Sequence, residues 1–143
     1  MSPGAQRGRT GMSTDTQAPT TVTNIGVAMF TVADQDAALA FYMQKLGWEV
    51  RGDSRFGEND EYRWLEVAPP GSTARLALNP PMYGEPGGSA IGVETADLAA
   101  EHARLSAVGV ADMEPMPTDD TPGAPKLFML RDPDGNVVTV VQV

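Results

Sequence analysis

The sequence predicts an α+β fold of two tandem βαβββ modules forming a curved mixed sheet around a concave groove. Three observations carry the expectation. An Asp opens a helical run at Asp34 and again at Asp97, 63 residues on. A Gly stops each run, at Gly47 and Gly109, 62 apart. A Gly-containing turn then separates two extended stretches, at Gly71 and Gly135, 64 apart. Self-similarity at a fixed period dictates architecture. It divides the chain into module one (23–79), a linker (80–88) and module two (89–143), preceded by a tail (1–22).

In module one, Ile25 to Val32 reads as a strand, with Val27, Met29 and Thr31 on one face and Ala28, Phe30 and Val32 on the other. Asp34 is a good helix N-cap, and Asp36 suits the positive end of the helix. Leu39, Tyr42, Met43 and Leu46 follow at helical spacing, Lys45 falls in the last turn, and Gly47 supplies the left-handed stop. Trp48 to Arg51 resumes an extended run, and Asp53 to Asp60 reads as a polar loop. Tyr62 to Val67 and Thr73 to Leu78 form a hairpin around Pro69-Pro70-Gly71.

Pro80 to Gly88 is too rich in Pro and Gly for helix or strand. Module two opens with the extended stretch Ala90 to Thr95. Asp97 then caps Leu98 to Val108, whose Leu98, Leu105 and Val108 line one side. Asp112 to Pro125 is a long Pro-rich connection, of a length that often serves as a binding loop or lid. Lys126 to Arg131 and Val137 to Gln142 pair around Asp132-Pro133-Asp134-Gly135-Asn136, where Pro, Gly and Asn answer the demands of a tight turn. The two acids there read as turn chemistry. A four-stranded sheet with one helix leaves a face uncovered, so two modules must use each other or a second chain. Between them lies the natural small-molecule site.

Composition narrows the function. The tail, Met1 to Val22, is rich in Ser, Thr, Gly, Pro and Gln and reads as disordered, with Met12 an alternative start to Met1. The chain has no secretion signal or membrane-length apolar run, so a cytoplasmic protein is the expectation. With no cysteine, disulfides, thiol nucleophiles and thiolate metal sites are excluded. Ten Lys and Arg against nineteen Asp and Glu give a net charge of −9, which argues against nucleic-acid binding. Such acidity serves solubility, or a field that attracts a cation.

Val32-Ala33-Asp34-Gln35-Asp36-Ala37-Ala38, then Phe41-Tyr42 and Leu46-Gly47-Trp48, resemble the opening signature of the vicinal oxygen chelate superfamily: glyoxalases, bleomycin-resistance proteins and extradiol dioxygenases. Leu130 to Asn136 resembles its closing turn. The resemblance spans roughly residues 24–143 and implies the paired-module fold. It also implies four inward metal ligands of His, Glu or Gln type, at positions held here by Val27, Ala77, Ala90 and Thr139. Aliphatic side chains offer a divalent ion no lone pair, so no metal and no cofactor are expected. The single histidine, His102, falls in mid-helix and reads as a surface or half-buried residue.

Residues sharing the parity of those four positions are the candidate ligand contacts. They are Met29 and Thr31 beside Val27, Arg75 and Asn79 beside Ala77, Glu94 beside Ala90, and Thr139 with its neighbours Val137 and Val141. Trp64 either stacks on a flat or cationic ligand in the groove or packs beneath the helix as core, and Tyr83 lies in the linker. The expected function is a metal-free small-molecule-binding protein that sequesters an antibiotic or other natural product. The alternative is an isomerase, lyase or dioxygenase of the same superfamily, with Glu94 as catalytic base and Asn79 as polarising donor. The expected partners are a cationic or aromatic small molecule and, on the resemblance and the open strand edges, a second copy of the chain.

Overall fold

A computed structural model describes residues 18–82, 84–118 and 121–143. Most of the expected tail, with Met12, lies outside the described residues, as does Tyr83; residues 18–22 are exposed and without regular structure. Module one runs β1 (Val27–Thr31), α1 (Gln35–Ala40), β2 (Glu49–Phe56), β3 (Tyr62–Ala68) and β4 (Arg75–Asn79). Module two runs β5 (Ala90–Thr95), α2 (Leu98–Ala107), β6 (Leu127–Arg131) and β7 (Val137–Gln142). Each module makes its own mixed sheet, in the order β1-β4-β3-β2 and β5-β7-β6. β1 runs parallel to β4 and β5 parallel to β7, while the remaining pairs are antiparallel. The duplicated plan is thus realised as two sheets.

Three details differ from the sequence expectation, each for a physical reason. The first helix does not stay α-helical to Gly47: Phe41–Lys45 winds as a π-helix, with the Leu46 amide donating to the Phe41 carbonyl at 3.2 Å. A four-residue step overshoots a 3.6-residue turn by roughly 40°, and the wider winding takes this back. Ala38, Tyr42 and Leu46 therefore stay on the buried side. The loop expected from Asp53 is strand as far as Phe56, because Arg63 grips Asp53 through Nε and Nη2, both at 2.9 Å, and Phe56 stacks on Tyr62. In module two the first strand after the helix is reduced to a bridge between Met113 and Leu130. Pro115 and Pro117 follow at once and have no amide to continue a ladder.

One core joins both modules. Phe30, Leu65, Val67, Leu76 and Leu78 from the first sheet and Phe128, Leu130, Val138 and Val140 from the second enclose Ala38, Tyr42 and Leu46 of the first helical segment and Leu98 and Leu105 of α2. The opposite face of each sheet stays outside this core. There the register aligns Thr31 with Asn79, Met29 with Ala77 and then Glu66, and Gly92 with Thr139 and then Met129.

The modules are also clasped by polar groups. Asp132 accepts from the Tyr42 hydroxyl at 3.0 Å and from the Asp134 and Asn136 amides at 2.9 Å. Asn136, fully buried, donates to Asp132 and to the Thr31 carbonyl and accepts from the Ser89 amide. Asp134 accepts from the Ala33 amide at 3.0 Å. The closing turn read above as local chemistry therefore also ties module two to the end of β1. Gly87 shares the joint: its amide donates to the Thr31 carbonyl, and an added Cβ would collide with the Asp134 carbonyl oxygen.

Candidate functional site

β1 and β5 lie at the edges of their sheets, and two adjoining clefts open between the modules. The larger, of about 670 Å³, takes Val27 and Arg75 from the outer face of the first sheet and Gly92, Glu94 and Val141 from that of the second. The smaller, of about 410 Å³, reaches inward past Leu46 and Gly47 towards Arg104. Trp48, Pro69, Pro70, Val93 and Glu94 line both. The larger volume falls within the roughly 300–1,000 Å³ usual for small-molecule pockets.

Local structure explains why these groups meet. A bulge at Arg51 turns its guanidinium onto the β3–β4 turn, with Nη1 on the Ser72 carbonyl at 2.6 Å and Nη2 on the Pro69 carbonyl at 2.9 Å. That fixes Pro69 and Pro70 as the rim of both clefts. Beyond the bulge, Gly52 stands opposite Glu66 and leaves its carboxylate room. Glu66 is 9% exposed on the outer face of the sheet. Its Oε2 accepts from the Trp64 indole N–H and its Oε1 from Arg75 Nε, both at 2.9 Å.

Of the sequence-nominated residues, Glu94 lines both clefts. Met29, Thr31, Asn79 and Thr139 hold the outer-face parity expected of them but do not line either cleft. Trp64 faces outward with Glu66 and is half-buried, so it does not pack beneath the helix. Trp48 lines both clefts and Arg75 the larger one. Arg75 carried a parity signal, whereas Trp48 belonged to the helix-stop motif and carried no sign of a pocket. Asn79, the polarising donor expected beside Glu94, lines neither cleft.

The superfamily's metal positions do not fit an ion. Val27 stands beside Arg75, Ala77 is buried between Met29 and Glu66, Ala90 stands beside Val137, and Thr139 lies between Gly92 and Met129. Among the described residues, no group of three or more His, Cys, Asp or Glu could hold a metal. His102 is engaged elsewhere: its Nε2 lies 2.9 Å from the Glu114 carbonyl and its ring packs edge-on against Phe128. No described helix is long and apolar enough to cross a membrane.

Comparison with known proteins agrees with this architecture. A structure from Sphaerobacter thermophilus DSM 20745, a member of the glyoxalase/bleomycin resistance protein/dioxygenase superfamily, is 30% identical with a TM-score of 0.74, covering 85% of this chain and 98% of its own. TnmS3, an antibiotic binding protein from Streptomyces sp. CB03234, is 32% identical with a TM-score of 0.73, covering 87% of this chain and 98% of its own. The uncharacterized protein YetH of Bacillus subtilis (strain 168) is 37% identical over 59 residues, 41% of this chain, and the match spans about half, 48%, of that relative. Residues 24–140 match the Glyoxalase/Bleomycin resistance protein/Dioxygenase superfamily as a family. With its duplicated modules and a match over most of its length, the chain belongs to the glyoxalase/bleomycin resistance protein/dioxygenase superfamily.

Proposed function

We propose that this protein binds an antibiotic or other natural product and sequesters it, without metal chemistry and without turning it over. The observation that carries the reading is the cleft of about 670 Å³ between the modules, largely apolar in its walls yet bearing Arg75 and Glu94. A site that only binds needs shape, apolar area and a few orienting polar groups. The likeness to TnmS3, an antibiotic binding protein, supports the same reading. Calorimetric titration with a panel of aromatic natural products tests it: stoichiometric binding with the ligand recovered unchanged is expected, and conversion of the ligand would overturn it. Elemental analysis of purified protein is expected to find no stoichiometric Zn, Fe, Ni or Mn. We further propose that the protein works as a homodimer, the second copy covering the open sheet faces beside the cleft.

A further inference from the structure

The two charged groups of the larger cleft come from different modules and differ in what they still offer. Arg75 reaches it from β4 of the first sheet and Glu94 from β5 of the second. Among the described residues, Arg75 is bonded only through Nε, to Glu66. Its two terminal amino groups have no partner among those residues, and its side chain is 39% exposed. Glu66 does not compete for a ligand cation, because both of its oxygens are engaged by Trp64 and Arg75. Glu94, by contrast, is exposed, and no described residue hydrogen-bonds to its carboxylate or pairs with it. Between the two run apolar walls, including Val27, Trp48, Ile91 and Val141.

We propose that this cleft selects amphoteric ligands: a flat apolar body with an anionic oxygen, carboxylate or phenolate, at one end and a basic nitrogen at the other. The inference rests on the binding reading above and names its ligand class. The free fork of Arg75 donates to the acceptor, since guanidinium presents paired N–H groups to such oxygens. Glu94 takes the cationic nitrogen. The apolar walls and the Trp48 ring hold the body between them. A purely cationic ligand, which the acidity of the chain alone would favour, leaves Arg75 desolvated against a like charge. A purely anionic one does the same to Glu94. Each mismatch costs affinity because a charged group loses water with no ligand charge to offset it.

Three dyes on one xanthene skeleton test this. Rhodamine 110 carries a carboxylate and a cationic aminoxanthene, its methyl ester rhodamine 123 keeps only the cation, and fluorescein keeps the acid and loses the amine. Titrated by fluorescence polarisation, the protein is expected to bind rhodamine 110 at least about tenfold tighter than either relative, equivalent to about 1.4 kcal/mol. Arg75→Met is expected to erase the preference over the ester, and Glu94→Gln the preference over fluorescein. The Glu94 carboxylate has no bond to a described residue to lose, so that arm stands even where Arg75→Met, which strips a donor from Glu66, weakens the fold. Equal binding of all three dyes, or an unchanged ranking in Glu94→Gln, would overturn the ligand class and leave the binding reading standing. No binding of any dye, together with no binding of any natural product in the titration panel, would overturn both.

Discussion

Each carboxylate oxygen of Asp132 is engaged twice, yet the residue is only 4% exposed. A buried acid is tolerable only when so surrounded, and the reverse holds for its donors: without Asp132, the Tyr42 hydroxyl and one Asn136 proton are left in the core unpaired. Asp132→Ala is therefore expected to cost about 3 kcal/mol in urea denaturation, since stranding a buried polar group costs about 1–3 kcal/mol each. A loss under 1 kcal/mol would mean that water reaches the joint. Tyr42 adds a pH signature. Burial first, and the Asp132 carboxylate second, push its hydroxyl far above the ordinary value of 10.0. The unfolded chain then releases this proton at a lower pH than the folded one. The stabilisation is complete below about pH 10 and declines as pH rises above it. Between pH 9 and 11 the stability of the native protein should fall more steeply than that of Tyr42→Phe. Parallel curves would refute the buried phenol. None of this was legible in the sequence, where the closing turn reads as self-sufficient. The partners of Asp132 and Asn136 lie 90 and 105 residues away, and turn chemistry says nothing about what packs against a turn.

The two helical segments end against each other. Lys45 Nζ donates to the Val108 carbonyl at 2.7 Å, at the end of α2, and Arg104 Nη2 donates to the Leu46 carbonyl at 2.8 Å, at the end of the first. Each cation thus satisfies a terminal carbonyl on the other element, where the helix dipole is negative. The glycine stops stand at the same joint in left-handed conformation, with φ of 76° at Gly47 and 85° at Gly109. Lys45→Met and Arg104→Met are each expected to lower stability by about 0.5–1 kcal/mol, seen as a shifted urea midpoint at unchanged slope. Gly47→Ala should cost about 1 kcal/mol through the left-handed backbone alone, as nearby Arg104 atoms leave ordinary contact distance. The Asp caps and Gly stops were plain in the sequence because each is a local demand of a helix end. Asp34 does accept from the Asp36 and Ala37 amides, and Asp97 from that of Ala100. The π winding and the longer β2 were not legible. The first answers to which side chains the core must bury. The second answers to cross-strand partners, Arg63 and Tyr62, that apolar alternation along β2 does not announce.

At the scale of the molecule, the shared core covers one face of each sheet and leaves the other to be completed. The uncovered face of the first sheet shows Met29 at 55% exposure, Phe56 at 53% and Tyr62 at 43%, large apolar groups beside the buried Glu66 cluster. The outer strand β2 offers free ladder positions on top of this, whereas the outer edge of β6 is taken by residues 112–114. Periodicity along the strands gave the parity of these faces correctly, but parity cannot say whether a face meets the other module or a second chain. The folded chain turns the helix-bearing faces towards each other, so the outer faces are the ones the proposed second copy would cover. Light scattering coupled to size exclusion should then give twice the 15.1 kDa chain mass. Each copy carries −9, so repulsion opposes association at low ionic strength; added salt screens it and strengthens the apolar contact. The dimer is therefore expected to tighten with salt, the opposite of one held by ion pairs. Met29→Glu places a charge on that face and should return the protein to monomer without unfolding it, because Met29 is not among the described residues of the core or packed against it. A native chain that elutes at monomer mass at every concentration and salt level would refute the second copy, and a Met29→Glu dimer would place the interface elsewhere.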